Sequence, residues 1–405
     1  MNPLILLPNT IYILRSKRNQ DLITNIEEYS VYYENILYPY KQEYDVKIDC
    51  PFGMNLGRCW RITNFDTCPK NFPLTLSVYL YGELLAKKSI TVEITERRSK
   101  EMSLLCIGDS MTQAEEYELQ AISKAENIKT LGTRHCKYVN HEGRGGLKLY
   151  SYRHIYANQG WFTSPFLFPE NIPGKLYYGD ISYWEDVRDN PNHYTNVGFK
   201  YAPIQEGMYC LKDKKLCLFE NDSYKVVDEN PVFNFDFKKY QERFNIETPD
   251  VVTFLFAAND LQTVAYEKTA EEIQKMLIYQ QEMLDDIQKY VKTIVICLPI
   301  CGADQYCWGK TMGCVGTVKQ YEYNMKQYAN ALLEVYDNRE SEGIYLCPMN
   351  AVCDPLAGFD TDHSPANLYS VLPVFHQANW VHPNISGYKQ MGDALAGVLC
   401  KIKSI

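Results

Sequence analysis

The chain is 405 residues long, 46% hydrophobic and 22% charged, with 41 basic against 50 acidic side chains and a formal charge of −9. That balance belongs to a folded globular chain and excludes disorder on a large scale. The acid excess, with no basic stripe along the chain, speaks against DNA or RNA as a partner.

Fourteen cysteines are too few for a disulfide scaffold. Their spacings hold no C-x-x-C pair and no nearby histidine doublet, so no zinc or other metal site is expected. Free thiols in a reducing compartment are the expected state. The stretch from Pro3 to Leu14 is apolar but interrupted by Pro8 and Asn9, and no basic residue precedes it. It reads as a strand and not as a signal peptide. No run approaches the roughly 18 apolar residues of a membrane span. A cytoplasmic protein with no membrane partner is the expectation, and the sequence sets no oligomeric state.

In chain order, residues 1–97 read as an all-β, sandwich-like domain. Leu74 to Tyr81 alternates at period two, Gly82-Glu83 makes a turn, and Ile90, Val92 and Ile94 alternate again, which is a hairpin pattern. Thr95 to Lys100 is a charged joint. From 101 to 405 the pattern changes. Ser103–Gly108, Val251–Ala257 and Thr293–Leu298 are short, continuous apolar runs of the kind buried in parallel sheets. Helical spacing runs from Thr269, a candidate N-cap, to Tyr290 and again from Val318 to Tyr336. Then come a strand at Gly343–Cys347 and a last helix at about Ser386–Ile402. The alternation predicts an α/β domain with a largely parallel sheet. Residues 148–232 break the rhythm, being rich in Tyr, Trp, Phe, Asn and Pro. They read as an ordered insertion that either walls a pocket or decorates the surface.

Gly108-Asp109-Ser110 stands at the end of the first parallel strand, ahead of a helical stretch. A serine on such a turn exposes its hydroxyl, although Ser and Asp are equally good N-caps. Three further blocks follow: Asn140 to Gly146 with its glycines, Phe256-Ala257-Ala258-Asn259-Asp260 at the second strand end, and Asn379-Trp380-Val381-His382 before the last helix.

This ordered set resembles the SGNH (GDSL-like) hydrolases, over about Ser103 to Lys401. The resemblance implies a flavodoxin-like, doubly wound parallel sheet and serine ester hydrolysis without metal or organic cofactor. Carried over by position, Ser110 is the nucleophile and His382 its base, with Asn379 beside it. The oxyanion hole is the backbone N–H of Ser110 and of Gly146, with Gly145 adjacent, and the Asn259 amide. Family members with an accessory β-domain resemble carbohydrate deacetylases, so a small-molecule or saccharide ester, first an O-acetylated sugar, is the expected substrate. Asp109, Trp161 and Trp380 are candidates to touch it, and Tyr152, Phe162 and Trp184 either form a stacking platform or the insertion's own core.

Two positions depart from the family pattern. Ala257 stands for a glycine, a packing change. Asn379 stands for the aspartate that usually orients the histidine. Three readings stand: Asn379 presents its amide oxygen to His382, or Asp354, Asp360 or Asp362 takes the role, or the site binds a glycan or protein and hydrolyses little. Acyl transfer would use the same residues. The other histidines (His135, His141, His154, His193, His363, His376) follow no metal-ligand spacing and read as surface or satisfied core groups.

Overall fold

A computed structural model describes residues 2–15, 28–63, 65–135, 138–154, 164–170, 172, 204–212, 215–302 and 304–402. In the N-terminal region β1 (Thr10–Leu14), β2 (Asp45–Asp49), β3 (Asn71–Leu80) and β4 (Glu83–Thr95) form one sheet in the order β1-β4-β3-β2. The β3–β4 hairpin follows from its alternation: Phe72, Leu74, Leu76 and Val78 are buried and their neighbours face outward. Its turn is Tyr81-Gly82, both at positive φ (50° and 88°). That handedness matches the strand twist, and it places the turn one residue ahead of the expected Gly82-Glu83. A smaller antiparallel sheet joins Glu28–Tyr32, Cys59–Thr63 and Met54–Asn55.

After the charged joint come β5 (Met102–Gly108), α1 (Ser110–Gln113), α2 (Glu116–Ala125), β6 (Ile128–Leu131), β7 (Glu142–Gly143), β8 (Val251–Leu255) and α3 (Ala258–Leu261). Next are α4 (Thr269–Ile287), β9 (Thr293–Cys297), α5 (Gln305–Met312), α6 (Val318–Tyr336) and β10 (Ile344–Cys347). A hairpin, β11 (Thr361–Pro365) and β12 (Pro373–Gln377), precedes the last helix, α7 (Ile385–Lys401). Strands β6-β5-β8-β9-β10 pair in parallel in that spatial order, and β7 adds to the end of β5. Numbered along the chain the five run 2-1-3-4-5, the flavodoxin-like doubly wound arrangement.

Every residue of β8 and β9 is buried, because helices cover both faces and period-two alternation gives each layer its share. Leu104 and Cys106 pack with Leu395 and Leu399 of α7. Leu105 and Ile107 pack on the opposite face with Leu284 of α4 and Leu332 of α6. The N-terminal strands join the first of these layers: Ile11, Ile13, Val92 and Ile94 belong to the same cluster as Leu395 and Leu399. In the charged joint, Arg98 Nη1 donates to the Leu399 carbonyl at 3.0 Å.

The approach of β1 to α7 depends on one glycine. A Cβ at Gly397 would lie 2.1 Å from the Tyr12 carbonyl oxygen. Gly397→Ala is therefore expected to push β1 off the helix and to destabilise the protein by about 1–3 kcal/mol. The expected signature is a lower urea midpoint at unchanged slope.

One sequence expectation changes here. Thr269 is not the N-cap of α4: it lies inside the helix, with Lys268 in the cap position. Its hydroxyl sits 2.6 Å from Asn324 Oδ1, so a tertiary partner on α6 has won over the local one. Within the insertion, Tyr209–Lys212, Lys215–Glu220 and Ser223–Asp228 form a three-stranded antiparallel sheet, and Leu167–Pro169 pairs with Phe233–Phe235. Among the described residues no helix is long and apolar enough to cross a membrane, and no group of three His, Cys, Asp or Glu side chains is placed to hold a metal ion.

Candidate active site

The sheet reverses its winding direction between β5 and β8, and α/β sheets collect ligands outside the carboxyl ends of strands at such a point. Ser110 lies just beyond β5 and Asn259 just beyond β8. Ser110 opens α1, held by Asp109, whose Oδ1 accepts the Met111 N–H at 3.0 Å. His382 lies on the loop before α7, which Asn384 caps by accepting the Gly387 N–H at 3.0 Å. Across the 272 residues that separate them, His382 Nε2 comes within 2.7 Å of Ser110 Oγ. Both side chains are half-buried.

Asn379 does not present its oxygen to the histidine. Its Oδ1 accepts the backbone N–H groups of Val381 at 3.0 Å and of His382 at 2.9 Å. The amide nitrogen is the end left facing His382 Nδ1, 3.4 Å away. An N–H donating there needs the Nδ1 lone pair, which places the imidazole proton on Nε2. In that tautomer Nε2 donates toward Ser110 and cannot accept its proton.

The loop acids do not take over. Asp354 pairs with Arg58 at 2.8 Å and accepts the N–H groups of Leu356 and Ala357 at 2.9 and 3.2 Å. Asp362 faces Lys310 at 3.6 Å. Asp360 is exposed at the hairpin's base, where its carbonyl accepts the Ala378 N–H at 2.8 Å. Burial lowers the His382 pKa from its ordinary value, with no carboxylate opposing it.

The glycine loop is anchored from both sides. Gly145 donates its N–H to Gln113 Oε1 at 2.5 Å, which commits that amide. Gly146 sits at φ 77° and nothing lies within 4 Å of a Cβ built on it, so the chain makes a left-handed turn that leaves open space at this residue. Asn259 Nδ2 donates to the Leu147 carbonyl at 3.1 Å, and an amide nitrogen carries a second hydrogen. The neighbouring Asp260 accepts the Leu149 N–H at 3.0 and 3.2 Å, its carboxyl pushed up to about 7 by burial.

Beneath the loop lies a buried ionic network that the sequence reading missed. Glu142 is fully buried, and its carboxylate receives Arg144 Nη2 at 2.8 Å, the Tyr240 hydroxyl at 2.7 Å and the Thr133 N–H at 2.7 Å. His141 is equally buried. Its Nδ1 accepts the Gly143 N–H at 2.9 Å and its Nε2 lies 3.3 Å from Glu115. The signal available in sequence was a glycine flanked by Glu142 and Arg144, opposite charges held at the end of a buried sheet.

Asp109 and Tyr152 are not placed to touch a substrate. Asp109 is buried, caps α1, and has its carboxyl pushed up to about 7 by that burial. Tyr152 is also buried, its hydroxyl between the carbonyls of Gly108 and Glu142 at 2.9 and 2.6 Å, so it pins β5 to β7. Trp161, Phe162 and Trp184 lie outside the described residues. Trp380 is half-buried next to Asn379, with its ring set against Trp308 and Tyr321 at centroid distances of 5.1 and 5.5 Å.

A family model, GDSL-like lipase/acylhydrolase, matches residues 104–395, well over half the chain and all of the elements that bring Ser110, Asn259 and His382 together. The chain belongs to that family. It is an ester-hydrolysing enzyme of the SGNH type. Similar solved structures include the acetyl xylan esterase AlAXEase, at 13% identity and TM-score 0.28, covering 72% of this chain and 97% of that one. Another is Axe2, an acetylxylan esterase from Geobacillus stearothermophilus, at 13% identity and TM-score 0.29, covering 72% and 91%. No curated protein matches the chain in sequence.

Proposed function

We propose that Ser110 and His382 form the catalytic pair of this GDSL-family hydrolase and that its substrate is an O-acetylated carbohydrate. The observation that carries the reading is the 2.7 Å approach of His382 Nε2 to Ser110 Oγ, within the reach a general base needs. Ser110 Oγ attacks the acyl carbon as its proton passes to Nε2. The negative oxygen of the tetrahedral intermediate is received by the N–H groups of Ser110 and Gly146 and by the Asn259 amide. Collapse expels the sugar hydroxyl, protonated by His382, and leaves an acyl-Ser110. Water, deprotonated by His382, then releases acetate and restores the serine.

Proton transfer to His382 requires the Nδ1–H tautomer, which Asn379 opposes. The pair is therefore a slow one, and weak hydrolysis of simple esters follows from the same geometry. Support for a sugar comes from Trp380. The residue is half-buried and follows Asn379 directly in the chain, and an aromatic ring packs well against the apolar face of a pyranose.

The test compares acetate release from an acetylated xylo-oligosaccharide with turnover of p-nitrophenyl acetate. Trp380→Ala is expected to raise KM for the saccharide about tenfold while leaving kcat for the small ester in place. An equal loss on both substrates would remove the tryptophan from substrate recognition.

A further inference from the structure

We infer that Arg58, in the N-terminal β region, is a positioning residue for His382: through Asp354 it holds the loop that sets the imidazole over Ser110. The inference rests on the Ser110–His382 pair proposed above and gives that pair a support from outside the α/β domain. Arg58 stands in the small antiparallel sheet, between Met54–Asn55 and Cys59–Thr63. Its guanidinium reaches Asp354, 296 residues along the chain, with Nη2 2.8 Å from Oδ1 and Nη1 3.4 Å from Oδ2. Two prongs on two oxygens fix direction as well as distance. The fork is itself steadied, since its guanidinium carbon lies 5.2 Å from the centre of the Tyr32 ring. The Arg58 carbonyl also accepts the Tyr33 N–H at 3.0 Å.

Asp354 is the hub of a tight loop. Its Oδ1 accepts the N–H groups of Leu356 and Ala357 at 2.9 and 3.2 Å, and its carbonyl accepts the Gly358 N–H at 2.8 Å. Residues 354–358 thus fold around one carboxylate. That loop grips the histidine segment on both sides. Ahead of it, the Pro355 carbonyl accepts Gln377 Nε2 at 3.1 Å. Behind it, the Ala357 carbonyl accepts Asn384 Nδ2 at 3.0 Å, and the Gly358 carbonyl accepts the Asn384 N–H at 2.9 Å. His382 lies between Gln377 and Asn384, and its Nε2 stands 2.7 Å from Ser110 Oγ. With Asn379 in place of an orienting carboxylate, the ring's placement depends on the backbone that carries it. A misplacement of about 1 Å at a reacting pair costs up to about 10²-fold in rate.

A mere tether between the two parts of the chain would not need this geometry, and one stands elsewhere. Lys401 Nζ lies 2.9 and 2.7 Å from the Glu93 oxygens and joins β4 to the end of α7 opposite Asn384. The two pairs are comparably shielded. Arg58 and Asp354 are 41% and 11% exposed, Lys401 and Glu93 32% and 11%. Lys401→Ala is therefore a matched control that breaks an ion pair of the same kind away from the histidine segment.

Kinetics on p-nitrophenyl acetate and nitrogen-15 spectra of the histidine-labelled full chain test this together, at a temperature where circular dichroism shows each variant folded. Arg58→Ala is expected to lower kcat about 10–100-fold and to leave KM in place. The His382 ring signal, identified by its loss in His382→Gln, should move toward the shifts of a free imidazole. Arg58→Lys keeps the charge without the fork and should recover part of kcat. Lys401→Ala should keep the wild-type kcat and the wild-type His382 signal. Should Arg58→Ala not fold, Arg58→Gln takes its place with the same expectation. The inference is overturned if kcat or the His382 signal of the arginine variant stays at its wild-type value. Equal losses in Lys401→Ala overturn it too, by making Arg58 one tether among others. A wild type without Ser110-dependent turnover would instead overturn the catalytic reading, and the His382 signal alone then decides. Moved in the Arg58 variant, it shows that Arg58 positions the ring; unmoved, that it does not.

Discussion

Asn379→Asp is expected to raise kcat on p-nitrophenyl acetate by about 10²–10⁴. The Asn379 side chain occupies the position from which a carboxylate would orient the imidazole, and two backbone N–H groups already hold its oxygen. In the variant, one carboxylate oxygen keeps those two donors and the other accepts from Nδ1. The imidazole proton moves to Nδ1, Nε2 becomes the acceptor that Ser110 needs, and the imidazolium formed in the transition state gains a counter-charge. The pH profile reports the same change. With burial lowering the wild-type His382 pKa, the acid limb of kcat/KM lies below the ordinary histidine range of roughly 6.5. Aspartate favours the protonated ring, so the variant's limb moves to higher pH. An unchanged rate with an unmoved limb would mean that the neighbour of Nδ1 does not set the tautomer.

The second large effect is on stability and reaches the site through the glycine loop. Glu142→Gln removes the carboxylate shared by Arg144, Tyr240 and the Thr133 amide, where both members of the ion pair are fully buried. Loss of one partner of a buried pair costs about 3–5 kcal/mol, read as a lower urea midpoint. Glu142 also opens β7, with its ion-pair partner Arg144 just past the strand and Gly145-Gly146 directly after that arginine. The variant should therefore lose kcat more than it changes KM, because the Gly146 amide moves relative to Ser110. Glu142→Asp, which keeps the charge, should recover part of both losses. A variant as stable and as active as the wild type would show that the network does not support the loop.

What the sequence displayed was whatever depends on local pattern. Unbroken apolar runs marked β5, β8 and β9, since a strand buried on both faces has no polar side to show. The β3–β4 alternation marked its hairpin for the converse reason. Ser110, Asn259 and His382 were legible because each stands at the end of such an element, in an order shared by a family. The rest depended on partners far along the chain. Nothing around Asn379 reveals that Val381 and His382 claim its oxygen, for that follows from the loop's backbone path. Thr269 has the residue type of a cap, and only the packing of α4 on α6 gives its hydroxyl to Asn324. Tyr152 has the composition of a stacking platform and is instead a buried tie between two strands.

The most direct test of the central claim is the initial rate of p-nitrophenyl acetate hydrolysis by the wild type beside Ser110→Ala, at neutral and mildly alkaline pH, with circular dichroism to confirm that both are folded. The wild type should turn over slowly but measurably, and the alanine variant should fall to the buffer rate. Equal rates in the two proteins would contradict the assignment of Ser110 as the nucleophile, and the pairing with His382 at 2.7 Å would then have no part in ester cleavage.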